Sequence, residues 1–287
     1  MLKPRFYLIV ISVALLSMTV DKPAYQIYNV TGKKTTYQKM LKDILSCEVV
    51  LFGELHNNPI SHWLELQLAK DLFISKKQDL ILGAEMFEAD NQNGLDNYIK
   101  GIWNEDTFKT KVRLWPNYDT DYKPLVDFAR NTNLNFIATN IPRKYASQVM
   151  KEGFEGLLTL SQEEKKHIAP LPIEYDPELE QYKKMLEMNM GGHSSPNLPK
   201  AQAIKDATMA HFIATNAAQG KLFLHYNGAY HSNYYEGIMW YLKRKSADMR
   251  ILTITTVEQN NINKLSQEYI MAADYIICVP DDMTKTY

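Results

Sequence analysis

Six short apolar runs punctuate the chain, at residues 49–53, 80–84, 135–139, 221–226, 251–255 and 275–279, each with turn residues at its ends and rich in β-branched or aliphatic side chains. Runs of this length and composition predict strands buried on both faces. Helical spacing fills the gaps, as in Ile60, Trp63, Leu64, Leu68 and Leu72, or Leu125, Phe128 and Ala129. Strand alternating with helix predicts an α/β fold, a mostly parallel sheet covered by helices. The interval from about 142 to 220 breaks the alternation. It holds helical stretches, a Pro-rich turn at residues 169–172 and a Gly-Gly-His-Ser-Ser-Pro loop at residues 191–196, and it reads as a helical insertion subdomain. No fixed-period repeat or low-complexity linker divides the chain.

The first twenty residues differ from the rest. Lys3 and Arg5 precede an apolar run over residues 6–16, followed by the small residues Ser17 and Thr19, the pattern of a secretory signal. The alternative is a buried first element of the domain. The signal reading leaves residues 21–287 as one α/β domain and places the protein outside the cytoplasm, periplasmic or envelope-associated. Membrane contact is then confined to the N-terminal segment, because no later stretch approaches the roughly 20 apolar residues a spanning helix needs. At 45% hydrophobic residues the 287-residue chain can bury a sizeable core, which excludes a disordered or fibrous protein. A net charge of −1, from 32 Lys+Arg against 33 Asp+Glu, supplies no basic field, so nucleic acid is not an expected partner. Cys47 and Cys278 lie beside or inside apolar segments, where cysteine acts as a small hydrophobe, and the spacing does not decide whether they pair.

Candidate chemistry gathers where strands end. The first core strand runs into Gly53-Glu54-Leu55-His56, the second into Glu85 and then Glu88, and the fourth into Gly228-Ala229-Tyr230-His231. In a parallel sheet these ends share one edge, where ligand sites collect. Singly, each residue has an ordinary reading as a turn glycine, a packing histidine or a helix-start carboxylate. Together, imidazole and carboxylate suit a divalent transition metal or acid–base work, with Glu54, Glu85, His56 and His231 as the metal candidates. His62 lies six residues past His56 on the next helix and is expected to turn away, at the surface or in packing. His225 falls inside a strand and is expected in the core. On helical spacing, Asp206 points at the cleft while Met209 packs.

Several stretches, in order along nearly the whole chain, resemble the ChaN group of haem-binding uptake proteins. They are residues 50–59 with Gly-Glu-Leu-His, residues 82–92 with GAEMFEADNQ, Asn140-Ile141-Pro142-Arg143, residues 202–210 (QAIKDATMA) and residues 227–231 (NGAYH). That group is allied to the Tiki proteases, TraB-like proteins and erythromycin-esterase-like enzymes. The resemblance implies an exported haem-binding protein serving iron or haem acquisition, with a homodimer and envelope uptake machinery as partners. It also implies haem held by Tyr and His ligands. His193 then becomes the first ligand candidate, Tyr175 and Tyr182 the tyrosine candidates, and Arg143 a partner for a haem propionate or a site carboxylate. An amphipathic packing stripe of Tyr182, Met185, Leu186 and Met188 is the alternative for that segment. Ser194 follows His193 where many relatives carry cysteine. The Tiki branch implies a different use of the motifs, a metal-dependent hydrolase with Glu54 or Glu85 as base and His56 and His231 on a divalent ion. A third reading is an envelope interaction domain with a vestigial site.

Overall fold

The structure is a computed structural model, and it describes residues 22–188 and 195–287. Seven strands form one sheet: β1 (Gln26–Asn29), β2 (Val49–Glu54), β3 (Leu80–Glu88), β4 (Phe136–Asn140), β5 (Leu222–Gly228), β6 (Ile251–Gln259) and β7 (Tyr275–Pro280). Their order is β1-β7-β6-β2-β5-β3-β4. Strand β1 runs antiparallel to β7 at one edge, and all other pairings are parallel. The six expected strands are all present. Strand β1 is a seventh, beyond the six that the apolar runs predict, because its four residues offer only the adjacent pair of buried Ile27 and Tyr28 between half-buried neighbours.

Period-two alternation sorts the strand side chains onto two faces. On one face Val50, Phe52, Leu82, Ala84, Leu224 and Tyr226 join the largest core cluster, against helices that include α1 (Tyr37–Ile44) and α2 (Pro59–Lys76). On the other, Val49, Leu51, Ile81 and Phe223 pack with Ala207, Met209, Ala210 and Ile213. Every residue of β2 and β5 is buried, as befits central parallel strands covered on both sides. Helix α2 begins where Asn58 caps it, accepting from the backbone nitrogens of Ile60 and Ser61, with Pro59 at its first position. Its inner face carries Leu64, Leu68 and Leu72, none more than 1% exposed. Burial of each such leucine contributes about 2 kcal/mol.

The chain continues through α3 (Gln92–Ile99), α4 (Glu105–Lys111), a π-helical turn at Tyr118–Tyr122 and α5 (Lys123–Thr132). Between β4 and β5 the described residues form α6 (Arg143–Glu152), α7 (Glu180–Met188), α8 (Leu198–Asn216) and 3-10 turns, with no strand. Helix α8 belongs to the sheet's covering layer, because Ala207 to Ile213 pack on β2, β3 and β5. Its other side, with Ala201 and Ile204, closes a separate cluster with α6. Helix α9 (Ile238–Lys245) completes that layer. Cys47 and Cys278 are both free thiols. Among the described residues no helix is long and apolar enough to cross a membrane.

Candidate functional site

The strands that carry the candidate residues are neighbours, in the order β2-β5-β3, and all point the same way. Register fixes the rest: Glu54 lies opposite Gly228, and Ala84 opposite Tyr226, so Glu54, Glu85 and the Gly228–His231 turn meet at one edge. Both motif glycines are required by close approach. A Cβ on Gly53 would lie 2.9 Å from the Ala229 Cα and 3.0 Å from the Ile254 carbonyl oxygen. A Cβ on Gly228 would lie 2.6 Å from His56 Nε2. The expected role of Gly228 in a tight turn is therefore secondary: its φ of −54° is ordinary, and room for the His56 ring is what it supplies.

His56 stands at the mouth, its side chain 34% exposed, with Nδ1 2.6 Å from Glu54 Oε1. Tyr122 donates to the same oxygen at 2.7 Å, and Trp115 sets its ring edge-on to His56 at 4.9 Å. Burial alone would lower the His56 pKa, but the Glu54 hydrogen bond and the Glu85 charge outweigh it and raise it. With Nδ1 committed to a carboxylate, Nε2 is the nitrogen the cleft can use.

His231 is placed differently. Only 5% exposed, it lies between carboxylates, with Nδ1 2.5 Å from Asp206 Oδ1 and Nε2 3.1 Å from Glu85 Oε1. The amide nitrogen of Gln202 lies 2.8 Å from Nδ1. Burial would lower its pKa, yet the Glu85 and Asp206 charges raise it to about 9, so the ring is an imidazolium at neutral pH. Burial likewise opposes ionisation of Glu85, but the His231 charge holds its carboxyl well below the usual range, and the Gly228 N–H donates to it at 2.8 Å. Asp206, expected to point at the cleft, instead lies buried behind His231: it is not on the cleft lining, and its second oxygen accepts from the Tyr182 phenol at 2.8 Å.

Glu54 thus pairs with His56, and Glu85 with His231, while these four do not close round a single ion-sized point. The described residues that do are Glu54, His62 and Glu65. His62, expected to turn away, is buried on α2 and faces Glu54, with Nδ1 3.6 Å from Glu54 Oε2 and 3.2 Å from Glu65 Oε2. Its direction follows from the face of α2 that meets the sheet, which the distance from His56 along the chain does not determine. Glu65 is spaced with Leu68 and Leu72, so a carboxylate in an apolar stripe was the signal available. Asp121 and Tyr122 come from the π-helical turn and Asn117 immediately precedes it, a segment that no periodicity marks.

The edge opens into a cleft of about 1250 Å³. Met86, Leu114, Trp115, Pro116, Ile141 and Ala146 supply apolar wall, and Arg143 and Lys205 stand on its lining beside Arg113. Arg113 is paired with Glu88 and Asp90. Arg143 is exposed, with no ion pair among the described residues. Tyr182 is buried at 2% exposure, stacked on half-buried Tyr175 at 5.8 Å. His193 lies outside the described residues. His225 is in the core as expected, 2.7 Å from the Thr139 hydroxyl.

The fold resembles that of ChaN from Campylobacter jejuni, a structure reported for cofacial haem binding, with a TM-score of 0.66 at 18% identity over 88% of this chain and 96% of that one. A Bacillus cereus protein matches with a TM-score of 0.51 at 12% identity, over 90% of this chain and 95% of that one. In sequence, the chloroplastic protein RETICULATA-RELATED 5 of Arabidopsis thaliana is 26% identical over 202 residues, covering 66% of this chain but only 27% of that relative's own length. The sequence pattern of the haem-binding uptake family ChaN, of the Tiki superfamily, matches residues 40–242, a span from α1 to α9 that includes both Gly-x-x-His turns and the helices packed on them, and the chain belongs to that family.

Proposed function

We propose that this protein binds haem in the cleft at the C-terminal strand ends, as an exported protein of the cell envelope serving iron or haem acquisition. The observation that carries the reading, beside family membership, is the cleft itself. Its volume exceeds the few hundred to about 1,000 Å³ usual for small-molecule sites, and it combines apolar wall with cationic groups at the rim. Bound haem would supply a ferric iron that takes imidazole or phenolate donors. Arg143, free of ion pairs among the described residues, is placed to receive a propionate in a bidentate pair, with Lys205 as a second cation.

Among described residues the imidazole best prepared as a donor is His56. Its Nδ1–H, held by Glu54, fixes the tautomer that leaves Nε2 free to donate. Tyr182 would have to release Asp206 before its phenol could ligate, and burial with the Asp206 charge pushes that phenol far up, against phenolate formation. Tyr175 is half-buried against Phe154 and Tyr182. His193 stays a ligand candidate on the family resemblance. The family reading also implies a homodimer and a partner in the uptake machinery.

Absorption titration of the purified protein with hemin tests the reading. Saturable binding with a shifted Soret band is expected, and replacing His56 or His193 by Ala identifies the donor by the loss of that shift. An unchanged free-hemin spectrum at micromolar concentrations would overturn the proposal. Cell fractionation tests export, with recovery in the envelope or periplasmic fraction expected.

A further inference from the structure

Behind His56, away from the cleft opening, lies a group of titratable side chains that haem binding does not use directly. Glu54, His62 and Glu65 are buried, and one ligand atom from each lies within 4.8 Å of the others. Hydrogen bonding decides which atoms face one another. His62 Nε2 lies 3.2 Å from the backbone oxygen of His56, which can only accept, so Nε2 carries the ring proton and Nδ1 of the neutral ring presents a lone pair. Asp121 Oδ2, 3.5 Å from Nε2, supports the same orientation. That Nδ1 then faces Glu65 Oε2 at 3.2 Å and Glu54 Oε2 at 3.6 Å. Three acceptors point at one another.

Two further facts mark the group as unsatisfied. Glu54 Oε2 and Glu65 Oε1 are buried without any hydrogen-bond partner, whereas the other Glu54 oxygen is already taken by His56 and Tyr122. Burial and the Glu54 charge push the Glu65 carboxyl well up, so a proton shared between the two carboxyls is the competing way to satisfy both orphans, and an ion accepting four or more donors is the other; metal titration tells the two apart. Donors held about 2.0–2.2 Å from a common ion stand roughly 3.0–3.6 Å apart, which is the separation of His62 Nδ1 from its two carboxylate neighbours.

We propose that Glu54, His62 and Glu65 bind a divalent first-row transition ion, such as Zn(II) or Mn(II), in a buried site that fastens the start of α2 to the end of β2. One imidazole with carboxylates is a donor set such ions accept. The ion holds the Glu54 carboxylate against which His56 is set, so it acts on the cleft by position rather than by touching a ligand there. The site is independent of whether the cleft takes haem.

The experiment is metal analysis of the haem-free full chain, followed by calorimetric titration of the chelator-treated protein with Zn(II) and with Mn(II). About one equivalent is expected, with a raised melting midpoint on metal addition. Glu65→Gln, which keeps shape and removes charge, is expected to weaken binding by about tenfold or more, while the cleft variant His231→Asn leaves it unchanged. X-ray absorption of the Zn(II)-loaded wild type gives an answer that needs no variant: one imidazole in the coordination shell is expected. Absence of stoichiometric binding, a shell of two imidazoles, or binding that survives Glu65→Gln but is lost in His231→Asn would each overturn the proposal.

Discussion

At the scale of single residues the two Gly-x-x-His turns look equivalent in sequence and are opposites in structure. His56 has one nitrogen committed and one available, while His231 has both engaged by carboxylates. The four letters show only half of this, because the partner of His56 is Glu54 of its own motif, whereas those of His231, Asp206 on α8 and Glu85 on β3, lie far away along the chain. The glycines were legible as markers, but the reason for them was not, since it is the His56 ring lying where a Gly228 Cβ would go. Gly228→Ala therefore displaces a partly exposed ring rather than backbone, at a cost of about 1–3 kcal/mol with the fold kept. It breaks the Glu54 contact, and NMR titration should show the His56 pKa falling from its raised value towards the ordinary 6.5. An unaltered His56 titration in that variant would contradict the close-approach account.

At the scale of elements, the strands with long apolar runs were readable because parallel strands buried on both faces need no partner to explain their composition. Strand β1 escaped for the opposite reason: four residues paired antiparallel at an edge carry too little pattern. Helix α8 falls in the interval that reads as an insertion in sequence, yet it covers the sheet, because Ala207 and Ala210 let it approach closely and alanines leave a weak apolar signature. Helix α2 is legible from Leu64, Leu68 and Leu72, whereas the burial of Glu65 on its inner side is not, because a carboxylate by itself reads as solvent-facing. Its start depends on Asn58, which caps the first turn and also donates to Glu258 Oε1 at 3.2 Å. Asn58→Ala should destabilise the protein by about 1 kcal/mol, read as a lower urea midpoint at constant slope. A midpoint equal to wild type would show the cap to be dispensable.

At the scale of the whole molecule, two buried histidines set opposite limits on stability. His225 is held neutral by burial, its pKa lowered to about 4, so stability is lost as pH falls below the unfolded value of 6.5 towards 4. His231 is raised to about 9 despite its burial, so its contribution is complete below 6.5 and is lost as pH rises through 9. The melting temperature should peak near pH 6.5 and decline on both sides, and His231→Asn should flatten the alkaline limb while lowering the maximum. An alkaline limb unchanged in that variant would place the charge elsewhere. The cleft lining also carries Arg143 and Lys205, and those two cations underlie the central claim that the cleft takes haem and meets its propionates. The most direct test is the hemin dissociation constant of wild type against the double variant Arg143→Glu/Lys205→Glu, followed in the Soret region. Both changes lie on the cleft lining, away from the core. Saturable binding by wild type, weakened about tenfold or more by charge reversal, is the predicted result, and equal affinity of the two proteins, or no saturable binding by either, would contradict it.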